Sequence, residues 1–244
     1  MIYTNFAAVY DSLINMPTQK WVWYIRALWQ MHGFSPKAVL DLACGTGNIT
    51  HLLSKGGYDL IGIDMSEDML AVARQKGSKP LFVCQDMRKF ELHGAVDAII
   101  CLCDSLNYLD EPKDLLAVFR RVKKYLKPGG CFIFDINTPY KYEHILANNT
   151  FSQIGRDSCY IWVNTYYPFP DERINEYDLH LFIRQPSGLY RKYQEIHLQK
   201  AHTPSEVEAA LSESGLELLA IYDELTKNPP NAFSERLFFV VKAP

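Results

Sequence analysis

The 244-residue chain has little of what would set it apart from ordinary globular proteins. No apolar run approaches membrane-spanning length and no charged-then-apolar leader opens it, so no membrane partner is expected. It has no internal repeat and no low-complexity tract. Charge of one sign is scarce too: 25 Lys and Arg stand against 28 Asp and Glu, a formal net charge of −3. That balance argues against a broad nucleic-acid surface, because neutralising phosphates takes concentrated Lys and Arg. The densest basic stretch is Arg120, Arg121, Lys123, Lys124 and Lys127. It shares a helical pattern with apolar Leu115, Phe119, Val122 and Leu126, and reads as a solvated face near a helix C-terminus. Six cysteines (Cys44, Cys84, Cys101, Cys103, Cys131, Cys159) form no Cys-x-x-Cys and no His-rich spacing, so no metal site is expected. Five of them lie in or beside apolar strand patterns, where a thiol acts as a small apolar side chain. A reducing cytoplasm is the expected compartment.

What the chain does have is an ordinary soluble composition, 48% apolar and 22% charged, and room for a full-sized core. Thr18 to His32 has the spacing of an amphipathic helix with Trp21, Val22, Ile25, Leu28 and Trp29 on one face. From Ala38 to Ile136 apolar strands alternate with helices, the pattern of a parallel sheet covered on both faces. After Asn137 the period changes to two, and antiparallel strands are expected at about 158–167, 173–184 and 189–200. Thr203-Pro204-Ser205-Glu206 is a capping box with proline at the first helical position, and Gly215 ends that helix. Strands at Glu217–Tyr222 and Arg236–Val241 close the chain. The expected division is therefore residues 1–140 with 201–244 as one α/β domain, and 141–200 as an antiparallel β insert.

Val39-Leu40-Asp41-Leu42-Ala43-Cys44-Gly45-Thr46-Gly47 is the most informative stretch. A strand runs into an acidic residue, then into a glycine turn, and a helix follows from Asn48 to Lys55. Glycine's missing Cβ lets such a turn bring backbone N–H groups against a ligand. A second strand ends in Asp64, nineteen positions after Gly45, the spacing at which a carboxylate meets a ribose in dinucleotide-type units. A third ends in Cys84-Gln85-Asp86-Met87 and a fourth leads to Asp104-Ser105-Leu106-Asn107-Tyr108. Each cluster falls past the carboxyl end of a strand, where open α/β sheets bind ligands. Taken singly, each has a plain structural reading. Asp64, for one, precedes Ser66, a helix N-cap with acids in the first turn.

In chain order, these residues resemble the class I methyltransferases that use S-adenosylmethionine. The resemblance is strong over about residues 36–137 and looser in the C-terminal segment. It implies a Rossmann-like doubly wound sheet of seven strands with an antiparallel C-terminal strand. It also implies that Asp41, Gly45 and Gly47 hold the donor's methionine end, Asp64 the ribose hydroxyls and Asp86 the adenine amino group. Met65 and Met87 then wall the adenine, and Leu102 at the end of the fourth strand offers a backbone carbonyl to the donor's ammonium. Lys127-Pro128-Gly129-Gly130 looks like the family's turn into strand five. Ala43 replaces the family's first glycine, a change tolerated if the residue ends the strand with negative φ. Tyr3 and Phe6 to Asp11, Tyr10 among them, look like the segment that folds over the donor in small-molecule members.

Methyl transfer to a nitrogen or oxygen of a small-molecule acceptor is the expected reaction. On residues 173–184, Tyr177, Leu179, Leu181 and Ile183 share one face and His180 and Arg184 the other; on 189–199, Arg191, Tyr193, Glu195, His197 and Gln199 share a face. Acceptor-side candidates are His197, Arg184, Glu195, His180 and Tyr10, either as orienting or deprotonating groups or as polar pairs on a wet face. The alternatives are an RNA-modifying methyltransferase and a non-catalytic donor-binding subunit. A nicotinamide oxidoreductase is disfavoured because the full Gly-x-Gly-x-x-Gly is missing. Both a monomer and a homodimer fit the sequence.

Overall fold

A computed structural model describes the chain apart from residues 1–6, 14–16, 78, 170 and 171, so Tyr3 and Phe6 lie outside the described residues. In chain order come α1 (Ala7–Leu13), α2 (Thr18–Met31), β1 (Ala38–Leu42), α3 (Asn48–Lys55), β2 (Asp59–Asp64), α4 (Glu67–Gln75), β3 (Leu81–Cys84) and β4 (Val96–Cys101). Then follow α5 (Pro112–Tyr125), β5 (Leu126–Asn137), β6 (Thr150–Ile154), β7 (Ser158–Tyr167), β8 (Ile174–Arg184) and β9 (Tyr190–Lys200). The chain closes with α6 (Pro204–Ser214), β10 (Glu217–Asp223) and β11 (Arg236–Lys242).

Seven strands form one sheet in the order β10-β11-β5-β4-β1-β2-β3, with β11 antiparallel to both of its neighbours. Its central strands are continuous apolar runs because both faces are covered. On one face Leu115, Val118, Phe119 and Val122 of α5 and Val207 and Leu211 of α6 pack on Phe132, Phe134 and Phe239. On the other, Trp21, Ile25, Leu28 and Trp29 of α2 and Ile49 and Leu53 of α3 pack on Val39, Ile100 and Ile133. The turn out of β1 leads straight into α3 because Gly47 takes φ +72. A Cβ there would lie 2.9 Å from the Phe82 ring, so this glycine is required by packing as well as by φ.

The insert is a separate antiparallel sheet in the order β6-β7-β8-β9. It has one strand more than the period-two pattern indicates. The extra strand, β6, is a polar edge strand with only Phe151 and Ile154 as apolar residues, too little alternation to read. Before it, Lys141–Leu146 form a π-helical turn that buries Tyr142.

Register corrects the expected polar face of the insert. Tyr177 lies opposite His197 and Leu179 opposite Glu195, so Glu195 and His197 point to the same side as the apolar residues of β8. His180 lies opposite Gln194 and Arg184 opposite Tyr190, on the other side. The four residues are therefore split between two faces and form no common polar surface.

Candidate active site

The carboxyl ends of β1, β2, β3 and β4 lie side by side and carry the expected donor residues. Asp64 accepts the backbone N–H groups of Gly45 and Ser66, both at 2.8 Å, so one carboxylate pins the glycine turn and the start of α4. A Cβ on Gly45 would meet nothing within 4 Å, so here the backbone borders open space. Asp41 sits behind the turn, buried, accepting the Thr50 hydroxyl at 2.5 Å; burial pushes its carboxyl up to about 7. Asp86 accepts the backbone N–H and the guanidinium of Arg88, which hold its carboxyl below the usual range; Arg88 also reaches Asp114 at 3.1 Å. Met65 is 65% exposed and lines an open depression of about 710 Å³ together with Cys84, Gln85 and Asp86.

The expectation for Ala43 changes, and four other expected residues take the following positions. Ala43 takes φ +60, in the left-handed region, so it replaces glycine at some cost in backbone strain and does not end the strand with negative φ. Met87 packs against the main core, and Leu102 is buried with its carbonyl accepting the Ser105 hydroxyl at 2.8 Å. Arg184 is half exposed and pairs with Asp157 at 3.2 Å at the far end of β8, while His180 faces Asp178 on the outer side.

Helix α1 lies between the glycine turn and the insert. On one side Asp11 accepts the Thr46 hydroxyl at 2.7 Å and the Asn48 amide at 2.8 Å, and pairs with Lys76. On the other, Leu13, Val9 and Tyr10 pack against Leu179, Leu181 and Trp162. Tyr10 is half-buried, and desolvation together with the charges of Cys103, Asp104 and Tyr108 drives the ionisation of its phenol well above the usual value.

Beyond β4 the chain turns through two consecutive left-handed residues without glycine, Cys103 (φ +62) and Asp104 (φ +52). Asp135, fully buried at the end of β5, holds both: its carboxylate accepts the N–H of Cys103 at 2.7 Å and of Asp104 at 2.9 Å. Arg236 of β11 pairs with Asp135 and, at 2.8 Å, with Asp104. Gln199 on the inner face of β9 donates to Asp104 at 2.7 Å and accepts the hydroxyls of Tyr142 and Tyr177 at 2.8 and 2.6 Å. Next to it, His197 Nδ1 lies 3.1 Å from the Tyr108 hydroxyl and its Nε2 lies 3.4 Å from Glu195. Of these residues, Tyr142 and Arg236 are not among the sequence candidates, while Asp104 and Tyr108 fall in the cluster after the fourth strand and Gln199 on the face shared with Glu195 and His197. The signals were present: polar residues at every second position of β9, and charges inside the apolar runs of β5 and β11.

S-adenosylmethionine fits the first of these two clusters. The glycine turn borders space that any side chain at Gly45 would enter, and the Asp64 carboxylate, which accepts the N–H groups of Gly45 and Ser66, keeps acceptor capacity for hydroxyl donors. Residues 39–130 match the methyltransferase domain family. The Bacillus subtilis (strain 168) protein YqeM, named as a methyltransferase, is 37% identical over 98% of this chain and 96% of its own. A solved S-adenosylmethionine-dependent methyltransferase from Clostridium acetobutylicum ATCC 824 superposes with a TM-score of 0.87 at 32% identity, covering 98% of each chain. The chain belongs to the class I S-adenosylmethionine-dependent methyltransferases. It is also similar, at 26% identity over 73% of this chain and 75% of its own, to a Streptomyces venezuelae protein. That relative is named dTDP-3-amino-3,4,6-trideoxy-alpha-D-glucopyranose N,N-dimethyltransferase.

Proposed function

We propose that this enzyme methylates a nitrogen or oxygen of a small polar acceptor held between the carboxyl edge of the main sheet and the inner face of the insert. The observation that carries the reading is the set of Glu195, His197 and Gln199. All three are buried on the insert; His197 and Gln199 bond to Tyr108 and Asp104 of the loop after β4, and Glu195 faces His197. Buried polar groups in such number are retained where a polar ligand needs fixed partners. The named amino-sugar acceptor of the Streptomyces venezuelae relative agrees with a small acceptor.

S-adenosylmethionine, when bound, supplies an electrophilic methyl group on a sulfonium, so the protein's task is alignment and exclusion of water. In this reading Asp64 takes the ribose hydroxyls, Asp86 the adenine amino group with Met65 beside the ring, and Asp41 acts from behind Gly45 and Gly47 on the cationic end. Leu102 offers its carbonyl's second lone pair, and Tyr10 on α1 closes the site. Residues 1–140 and 201–244 thus hold the donor while 141–200 choose the acceptor. The thiols, which form no disulfide among the described residues, suit a reducing cytoplasm.

The test is a transfer assay with S-adenosylmethionine and a panel of nucleotide-linked amino sugars, free amino acids, catechols and RNA transcripts. Demethylated donor is read together with the product's mass. Methylation of at least one small amine or alcohol is expected. Turnover of RNA alone would overturn the reading.

A further inference from the structure

We propose that the outer face of the insert docks a second copy of this chain across a twofold axis. Register defines that face. Val163, Asp178 and Ile196 lie opposite one another across β7, β8 and β9, and Ile161, His180 and Gln194 form the next row. Thr165, Glu176 and Leu198 make the row beyond the first, and Cys159, Phe182 and Lys192 the row beyond the second. These side chains point away from the face that carries Leu179 and Leu181. The two faces differ in covering. Leu179 and Leu181 are buried and packed against Leu13, Val9 and Tyr10 of α1. On the outer face Ile161, Val163, Ile196 and Leu198 are between 37% and 52% exposed, two on each side of the central strand. Single exposed aliphatics are ordinary, but a contiguous set of four marks a surface that meets another.

The placement of the polar groups selects a second copy as the occupant. A twofold axis crossing the strands between the Asp178 row and the His180 row stacks the two sheets with their strands antiparallel. Each row then lies on the exchanged row of the other copy. Asp178 meets His180 of the second copy, a carboxylate against an imidazole N–H, and the contact occurs twice. Within one copy Asp178 already faces His180 at 3.3 Å and accepts the Gln194 amide at 2.7 Å, so the paired groups form a closed alternation. Val163 meets Ile161, apolar on apolar. Leu198 meets the aliphatic stem of Lys192, whose ammonium reaches solvent at the rim, as does the Glu176 carboxylate. No acid is set against an acid. The area is sufficient as well. At about 3.3 Å per residue and about 4.8 Å between strands, three strands of about ten residues present roughly 33 by 14 Å. Two such faces bury on the order of 1,000 Å², enough for a specific dimer of modest affinity.

The test is sedimentation velocity on the full chain. Wild-type protein should pass from monomer to dimer between about 1 and 200 μM, and a monomer throughout that range would overturn the proposal. Val163→Lys and Ile161→Glu each put two unmatched charges into the interface and should weaken self-association at least about a hundredfold. Mixed in equal amounts, the two variants should form a heterodimer within about tenfold of wild-type affinity, because the opposed positions then carry Lys and Glu. Single variants that stay dimeric, or a mixture that stays monomeric, would show that a different face or a different axis is used. Both positions are exposed, and melting temperatures near the wild-type value would confirm the fold. Should either charged variant unfold, the double variant Val163→Thr, Ile161→Thr keeps β-branched residues in β7. It should weaken the dimer at least about tenfold, and an unchanged dissociation constant would overturn the proposal.

Discussion

Asp64 and Asp135 make an instructive pair. Each stands near the carboxyl end of a strand of the main sheet and accepts two backbone N–H groups: Asp64 those of left-handed Gly45 and of Ser66 at the start of α4, Asp135 those of left-handed Cys103 and Asp104. Their surroundings then diverge. The turn under Asp64 contains Gly45 and Gly47 and borders open space, and among the described residues no cation pairs with the carboxylate, so desolvation raises its pKa. The loop under Asp135 is Cys103-Asp104, and Arg236 neutralises both acids. One carboxylate keeps spare capacity for a ligand. The other is consumed in holding strained backbone and side chains in place, the preorganisation that an aligned transfer requires.

The contrast predicts its own largest break. Arg236→Met should leave Asp104 and Asp135 as uncompensated acids in a dry site, costing roughly 3–5 kcal/mol. Thermal unfolding should then begin about 10 °C lower. A loss under about 1 kcal/mol would mean that Arg236 is not what neutralises this edge. Next in size is Asp64→Ala. Removing an acceptor for two ribose hydroxyls should weaken S-adenosylmethionine binding by roughly 2–4 kcal/mol in calorimetry, at about 1.5–3 kcal/mol per charge-assisted bond less overlap. Wild-type affinity in that variant would reduce Asp64 to a turn anchor.

The same divergence explains which side was legible in the sequence. Donor-side geometry is local: Asp41, Gly45 and Gly47 fall within seven residues, and Asp64 follows at a spacing fixed by one βαβ unit. The seven-stranded sheet was legible for the same reason, since its strands are apolar runs separated by capped helices. The proposed acceptor side joins Tyr108, Asp135, His197 and Arg236, which only the register of two sheets brings together. Which pleat face of β8 meets which face of β9 depends on pairing that alternation alone leaves open, so His180 and Arg184 could not be told from Glu195 and His197. The sign of φ at Ala43 was equally hidden, because a small residue fits either region.

Asp41 tests whether the donor edge stores an unfavourable charge. Burial raises its pKa to about 7 from an ordinary 3.8. Between those values the folded protein holds a proton that the unfolded chain has lost. The group's contribution to stability is therefore complete below about pH 4 and falls as pH rises through 7. Asp41→Asn removes the penalty while keeping an acceptor for Thr50. Relative to wild type it should gain little at pH 4 and up to roughly 4 kcal/mol at pH 8, while losing donor affinity. Parallel stability curves for the two proteins across this range would show that Asp41 ionises without cost.

The smallest effect concerns the left-handed residues that both loops share. Ala43 at φ +60 carries a methyl group in a conformation that disfavours it, at about 1–2 kcal/mol. Glycine would remove that strain but lose about 0.5–1 kcal/mol to the greater entropy of the unfolded chain. It would also forfeit the contact of the Ala43 methyl group with the main core. Strain and losses nearly cancel, so Ala43→Gly should change stability by no more than about 0.5 kcal/mol, a Tm shift of roughly 1–2 °C. Donor affinity should stay at the wild-type value, since Asp64 and Gly45 are untouched. Cys103→Gly applies the same exchange at the other loop, where the released strain is balanced by loosening the hold of Asp135. There the expected reading is a lower kcat at unchanged donor affinity. Equal kinetic behaviour in the two glycine variants would show that the loop after β4 is no more preorganised than the donor turn.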